Sequence, residues 1–412
     1  MHVLDPWLKE GAYLNITLNH VLETSRDLSA SDKAFVTRMV YGVAQNKLFL
    51  DFAIKQNLKG RVKRWEKTLL YCGLYVHYFM TMKDYAIVNE CVRLAKKRKG
   101  AKTAGFINAS LRTLFEEDAD LSSLSKEEEL SVRTSHPLWI VKMFAAQYGF
   151  DTCQKICEAN QDVPPLTGCV NRLKTTRDAL MQADPRFTAG TLSPDAVMFG
   201  GGAMVRTDAW TNGLVSVQDE AAQLPAQLLN PQPGEQVLDM CAAPGSKTAQ
   251  LAAMMKNTGS LTACDIHDHK KALMEDNFNR LGVTNVHIQI GDSSLRENFG
   301  DELYDAILLD APCTGLGVLG RKPDIRYHDS AVMDEIIPLQ KKLLENAYAL
   351  LKNHGRIVYS TCSLNKKENE KQVEAFLTRH QDCTLVRSQT ILPFEHHTDG
   401  FYMGLIRKDT GE

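Results

Sequence analysis

Two cysteines stand in short polar strings late in the chain: Asp310-Ala311-Pro312-Cys313-Thr314-Gly315-Leu316-Gly317 and Ser360-Thr361-Cys362-Ser363. A thiolate is a strong nucleophile and can form a covalent intermediate. Free cysteine is also among the most buried residue types, so either thiol alone reads more readily as core. Three further polar strings share the setting. Asp239-Met240-Cys241-Ala242-Ala243-Pro244-Gly245-Ser246-Lys247-Thr248 is rich in small residues. Such residues let backbone N–H groups approach a ligand at a helix N-terminus, where anionic groups are favoured. The string fits neither G-x-x-x-x-G-K-[ST] nor G-x-G-x-x-G. Asp265 follows roughly 20 residues past the glycine turn, where a carboxylate can hold a ribose diol. Gly291-Asp292 is the last of the five. The competing, weaker reading of Asp265 and Asp292 is that each is a helix cap.

The apolar runs before these strings decide where they lie. From Gly234 onward strand and helix alternate. Gln236–Met240 reads as a buried strand and Lys247–Met255 as a helix. Ser260–Ile266 is a strand, His269–Leu281 a helix, and Val286–Ile290 and Tyr304–Asp310 are strands. A long helix runs from about Asp334 to Leu351. Arg356–Ser360 is a strand, Lys367–His380 a helix, and Thr384–Val386 and Gly400–Ile406 finish as strands. Repeated βα units build a parallel sheet with helices on both faces and ligands at the strand C-termini. All five polar strings then face one crevice.

The N-terminal part has another character. Residues 6–115 read as helices, among them Lys67–Met82, Ile87–Leu94 and Ala104–Phe115, with no strand pattern between them. This predicts a compact helical bundle. Over Met1–Phe115 there are 19 Lys+Arg against 9 Asp+Glu, a net +10, while the whole chain carries only −2. The clusters are Arg61, Lys63 and Arg64, and the run Lys96, Lys97, Arg98 and Lys99. A basic module joined to an acidic body suggests polyanion binding, although Lys96–Lys99 also reads as a solvated helix end. The acidic stretch from Glu116 to Glu129 reads as a linker or domain boundary, and Ser131–Tyr148 as a single helix. Short strands at Gly168–Arg172, Ala196–Phe199 and Gly213–Val217, with a helix at Thr176–Gln182, make a small α+β module. The expected domains are 1–117, 128–225 and 226–412.

With 412 residues, 44% hydrophobic and 24% charged, the chain is globular in composition, not disordered or fibrous. Its apolar runs fall short of the ~20 residues a membrane span needs. No basic run followed by an apolar stretch opens the chain, so a cytoplasmic location is expected. The ten cysteines are then thiols. Cys153, Cys157 and Cys169 could hold a metal, but no fourth ligand stands at metal-like spacing, so they are expected to be core.

The strings Leu238–Thr248, Leu309–Gly317, Lys322–Ile325, Tyr359–Ser363 and Asp399–Phe401, with Val217–Glu220 ahead of them, resemble those of RNA cytosine-C5 methyltransferases of the bacterial RsmB (Fmu/Sun) type. The front module resembles their NusB-like RNA-binding bundle. The resemblance spans essentially the whole chain. It implies a Rossmann-like class I methyltransferase domain, preceded by an all-α NusB-like bundle and a small α+β module. It implies S-adenosylmethionine as cofactor, leaving as S-adenosylhomocysteine. Cys241, Ala242, Ala243, Pro244, Gly245, Ser246, Lys247, Asp265, Asp292 and Asp310 would line its site. It further implies Cys362 as the attacking thiol, Cys313 as an aid to product release, Asp310 on the base edge and Lys247 beside it. DNA cytosine-C5 methyltransferases instead attack with the Pro-Cys thiol. Ser246, where the subfamily often has Gly, and Leu316 are small departures that remove no chemical group.

The implied reaction is methyl transfer to C5 of one cytosine in small-subunit (16S) ribosomal RNA, of the cytosine-967 type, through a Cys–C6 adduct. The partner would be that RNA or the assembling small subunit, with no membrane, no metal and a monomeric enzyme. A transfer-RNA or broader RNA cytosine methyltransferase is the alternative. A non-catalytic RNA-binding assembly factor is disfavoured by the intact thiol pair.

Overall fold

The computed structural model describes residues 1–409 apart from 12, 26 and 163. It forms two compact units. The first comprises Met1–Gln161 together with Lys322–His328. The second comprises Asp162–Arg321 and the chain from Asp329 onward.

The first unit is helical throughout its described residues. Its central helix, Arg64–Phe79, buries every residue from Thr68 to Val76, so the apolar run Leu69–Val76 is core on all sides. The helix Ala30–Gln45 crosses it closely at Gly42, where a Cβ would fall 2.0 Å from the Tyr75 ring. The helix Asp84–Lys99 ends on its basic run and Gly100, whose φ of 88° suits glycine.

Two expectations fail between residues 116 and 160. The acidic stretch is not all linker. Ser125 and Glu128 form a capping box that starts the helix Lys126–Arg133, and its three glutamates sit in the first turn, where negative charge is favoured. Ser131–Tyr148 is not one helix. Ser135 has φ 50°, and Leu138–Tyr148 starts anew after Pro137, because proline lacks the N–H and disfavours helical geometry in the residue before it. A further helix, Phe150–Ala159, follows; it buries Cys153 and Cys157.

The segment Lys322–His328 packs within this unit through Arg326, which is fully buried. Its guanidinium donates to the carbonyls of Gln45 (3.1 Å), Thr134 (3.0 Å) and Asn160 (2.7 Å). Gln45 ends one helix, and Thr134 and Asn160 are the C-caps of two others. One cation thus satisfies carbonyls that three helix ends leave without intrahelical partners. Burial pulls the Arg326 pKa down to about 10, so it stays charged at neutral pH.

The second unit holds two sheets. β1 (Thr167–Val170), β2 (Phe187–Ala189), β3 (Ala196–Phe199) and β4 (Val215–Val217) form an antiparallel sheet in the order β2-β3-β1-β4. Cys169 is buried in β1. The larger sheet contains β5 (Gln236–Asp239), β6 (Ser260–Asp265), β7 (Val286–Ile290), β8 (Tyr304–Asp310), β9 (Leu351–Thr361), β10 (Cys383–Ile391) and β11 (Phe401–Lys408). Its order is β10-β11-β9-β8-β5-β6-β7. β5 to β9 are parallel, and the chain reverses its direction of winding between β5 and β8. A crevice opens at the strand C-termini at such a point.

The expected all-parallel sheet is mixed. β11 runs antiparallel to both β9 and β10. The connection 392–400 is too short for a crossover helix, so an antiparallel return is the geometry open to it. No helix among the described residues is long and apolar enough to cross a membrane.

Candidate active site

β5 delivers Asp239 to the sheet's C-terminal edge, and the helix Ser246–Met254 begins after a tight loop. The loop is pinned at three points. Met240 N–H donates to Leu308 O (3.0 Å), Ala242 N–H to Cys264 O (2.9 Å) and Ala243 N–H to Asp265 Oδ2 (3.1 Å). Gly245 must be glycine: its φ is 95°, and a Cβ would meet the Phe278 ring at 2.7 Å. Asp239 is buried and accepts from Thr248 Oγ1 at 2.7 Å. Burial, reinforced by the nearby Asp310 charge, raises its carboxyl to about 7 despite the Thr248 bond. Burial and three neighbouring carboxylates hold the Cys241 thiol well above the usual thiol range.

Asp265 is buried at the end of β6. Besides Ala243 N–H it accepts from His267 N–H at 3.0 Å, and Lys270 lies 3.6 Å away. Asp292 accepts from Ser294 N–H at 2.9 Å. Each carboxylate bonds the backbone N–H two residues on, as in an Asx turn. Neither is the N-cap of the helix that follows, which starts after His267 or Leu295 without a side-chain cap. Each oxygen has a second lone pair for a ligand. The implied cofactor fits this edge: a helix N-terminus stands ready for a carboxylate, and Asp265 for hydroxyl donors.

β8 and β9 are parallel neighbours with Asp310 level with Ser360. Ser360 Oγ donates to Asp310 Oδ1 at 2.8 Å, and Lys247 Nζ to Asp310 Oδ2 at 2.7 Å. Burial opposes the Lys247 charge, but Asp310, and more distantly Cys362 and Asp239, hold its pKa above the ordinary lysine value. The ammonium also lies 5.5 Å from the Phe401 ring centre. Just beyond the two strands the thiols of Cys313 and Cys362 are 3.3 Å apart. The hydrogen bond to Cys362, then burial, then the Cys362 and Glu368 charges hold the Cys313 thiol well above its usual range. Lys247, Asp310, Cys313 and Cys362 therefore converge. Two thiols, a carboxylate and an ammonium at one strand edge are groups able to add to, hold and release a planar base.

Several contributors carry no sequence signal of their own. Glu368 is fully buried and bonds the residues that follow both cysteines. It falls within the first turn of the helix expected over Lys367–His380, whereas the helix begins only at Glu370. Arg321 joins Asp219 (2.6 Å) to Asp399 (3.0 Å), tying the Val217–Glu220 string to Asp399–Phe401. Their shared appearance among motif strings was the available hint.

The basic residues belong to the helical unit. Arg61, Lys63 and Arg64 line an open cleft of about 750 Å³ with Lys47, Lys67, Asp51 and Tyr71. Lys96–Lys99 is the exposed last turn of its helix, and Lys99 Nζ sits 5.7 Å from the Trp65 ring, next to Arg64. Among the described residues no three His, Cys, Asp or Glu side chains are grouped to hold a metal.

Residues 226–407 match the family model of 16S rRNA methyltransferase RsmB/F, residues 1–116 the NusB family, and residues 136–205 the ferredoxin-like domain of RsmF/B-like methyltransferases. A probable ribosomal RNA small subunit methyltransferase B of Bacillus subtilis (strain 168) is 37% identical, covering 96% of this chain and 95% of that one. The ribosomal RNA small subunit methyltransferase B of Vibrio cholerae is 34% identical, covering 96% and 95%. Among solved structures, PH0851 superposes with a TM-score of 0.82 at 25% identity over 99% of this chain and 97% of its own. A methyltransferase homologue from Pyrococcus horikoshii gives 0.63 at 28% identity, over 69% and 100%.

Proposed function

The chain belongs to the RsmB/F family of 16S ribosomal RNA methyltransferases, and from that membership and the thiol geometry we propose that it methylates C5 of a single cytosine in 16S rRNA, of the cytosine-967 type, through a covalent Cys362 adduct. As a member it is an S-adenosylmethionine-dependent RNA methyltransferase with rRNA as substrate. The observation that carries the reading is the 3.3 Å thiol pair at the ends of adjacent strands, with the Lys247–Asp310 pair beside it.

C5 of cytosine is a poor nucleophile. Addition of the Cys362 thiolate at C6 makes C5 an enamine carbon, which splits one hard step into easier ones. S-adenosylmethionine supplies the electrophilic methyl group when bound in the loop Cys241–Lys247, with Asp265, Asp292 and Asp310 around it. Asp310 accepts from the exocyclic amine of the base, and Lys247 orients that carboxylate. The C5 proton then passes to a water molecule, and its electron pair re-forms the C5–C6 double bond as the Cys362 S–C6 bond breaks, which expels the thiolate and restores the aromatic ring. Cys313, held neutral against Cys362, assists that release.

In this reading the stretch 1–117 contributes RNA-phosphate contacts through Arg61, Lys63, Arg64 and Lys96–Lys99, 128–225 helps present the RNA, and 226–412 does the chemistry. The enzyme works as a cytoplasmic monomer without a metal. Bisulfite sequencing of ribosomal and transfer RNA, with and without the gene, tests the substrate: one protected 16S cytosine should disappear on deletion. Loss confined to transfer RNA would select the broader reading. Cys362→Ala should abolish transfer with S-adenosylmethionine binding retained, and Cys313→Ala should accumulate an RNA–protein adduct stable to denaturing gels. Adduct in Cys362→Ala instead would exchange the two roles.

A further inference from the structure

Both cysteines sit on loops, yet their sulfurs lie within contact distance. The loop after β8 and the loop after β9 therefore need a common anchor. The first is a backbone bond, Gly317 N–H to Cys362 O at 2.9 Å. The second is the Glu368 carboxylate. Its Oε1 accepts from Thr314 Oγ1 (2.6 Å) and from Ser363 Oγ (2.8 Å). Its Oε2 accepts from Thr314 N–H (2.8 Å) and from Gln340 Nε2 (3.3 Å). Thr314 immediately follows Cys313, and Ser363 immediately follows Cys362. Gln340 Nε2 also donates to Pro312 O at 2.9 Å, so the residue before Cys313 is held as well.

Glu368 is fully buried, and burying a carboxylate is costly unless it is well bonded. Here every donor comes from a thiol loop or from Gln340, which holds one of them. The loop of Glu368 is itself fixed: Tyr359 O–H donates to Glu368 O (2.6 Å), and Asn369 Nδ2 to Ser363 O (2.7 Å). A carboxylate is suited to this task, because charge-assisted bonds are roughly twice as strong as neutral ones.

We propose that Glu368 is a positioning residue of the thiol pair, a buried carboxylate that bridges Thr314 and Ser363 and so sets the Cys313–Cys362 separation. The proposal rests on the reading that both thiols serve one reaction. It assigns Glu368 no contact with the base. Displacement of reacting groups by about 1 Å can cost on the order of 100-fold in rate, so a loosened bridge reaches turnover through geometry alone.

Diamide, a thiol oxidant, provides a test independent of methylation. It takes up two electrons and two protons as the two thiols join in one S–S bond. The full chain should form the Cys313–Cys362 disulfide readily, as read by peptide mapping. Thr314→Val, which removes one tether, should slow both disulfide formation and kcat by roughly tenfold or more, with KM for S-adenosylmethionine unchanged. Thr314→Ser keeps the hydroxyl and should restore both rates. Glu368→Gln should slow both at least as much as Thr314→Val, because its amide NH2 cannot accept from the N–H donors, Thr314 N and Gln340 Nε2, that one carboxylate oxygen now satisfies.

Thr314→Val and Thr314→Ser reacting at the same rate in both assays would overturn the proposal. So would rate reductions that merely track a lower melting temperature or weaker cofactor binding. If Glu368→Gln fails to fold, the Thr314 pair still decides. If the disulfide rates depend on the bridge but no cytosine is methylated, the cytosine reading fails while the anchoring role of Glu368 stands.

Discussion

The backbone N–H of Gly317 donates to the carbonyl of Cys362 at 2.9 Å, and Gly317 O in turn accepts from Gly400 N–H at 2.7 Å. Three strings far apart in the chain thereby meet at the thiol site. The closeness depends on a missing side chain: a Cβ on Gly317 would lie 2.0 Å from Gly400 O and 2.7 Å from Cys362 O.

Gly317→Ala should therefore push the Cys362 loop away from Cys313. The expected result is a fall in kcat of roughly 10–100-fold with S-adenosylmethionine affinity unchanged. Gly320→Ala is the control, since a Cβ there stays 3.3 Å from the Pro164 ring and 3.6 Å from Asp162 O, with no close backbone clash. Steady-state kinetics with calorimetric cofactor titration checks both. Equal activity in the two variants would remove the clamp from the account.

Asp239 makes stability depend on pH. Its carboxyl is raised from 3.8 to about 7 by burial, so the folded state holds the proton longer. That contribution is fully present below about pH 4 and is lost as pH rises through about 7. Asp239→Asn should remove the dependence. Relative to the parent chain, the variant should gain on the order of 2–3 kcal/mol between pH 5 and pH 8, at about 1.4 kcal/mol per pKa unit. Denaturant unfolding at both values measures it. A constant difference would mean that Asp239 does not titrate in this range.

His136 acts in the opposite sense within the helical unit. It is fully buried; Nδ1 lies 2.8 Å from Thr134 O and Nε2 lies 3.1 Å from Asn160 Nδ2, which suits a neutral ring. Burial and the nearby Arg326 charge hold its pKa well below 6.5. Its contribution is present above about 6.5 and is lost as pH falls. His136→Gln should destabilise at pH 7.5 and less so at pH 5. A larger destabilisation at pH 5 would contradict a buried neutral ring.

The basic turn of the helical unit should act through phosphates. Replacing Lys96, Lys97, Arg98 and Lys99 together with Ala should weaken RNA binding and flatten the dependence of log K on log salt. The slope changes by about 0.7–0.9 for each phosphate that is no longer neutralised. The methylated nucleotide and the affinity for S-adenosylmethionine should not change, since bonds to phosphate position the RNA without specifying its sequence. An unaltered slope would make this run a solvated helix end.

Local pattern carried much of this protein. Tyr304–Asp310 is a strand between those residues, because a continuous apolar run bounded by polar turns suits a buried parallel strand. The same logic located Asp239, Asp265, Asp310 and Cys362 at or just beyond strand ends. Gly245 marked a turn that only glycine permits. What escaped depends on packing between distant segments. Glu368 falls within the first turn of the helix expected over Lys367–His380, and only the packing of two loops buries it. Arg326 looks like a surface arginine until three helix ends, at Gln45, Thr134 and Asn160, gather around it. The antiparallel return of β11 followed from a short connection, not from its own residues. Residue type and spacing determined which groups could react. The 3.3 Å between two sulfurs 49 residues apart was decided by tertiary structure, because it is set by strand register, a glycine clamp and a buried carboxylate acting together.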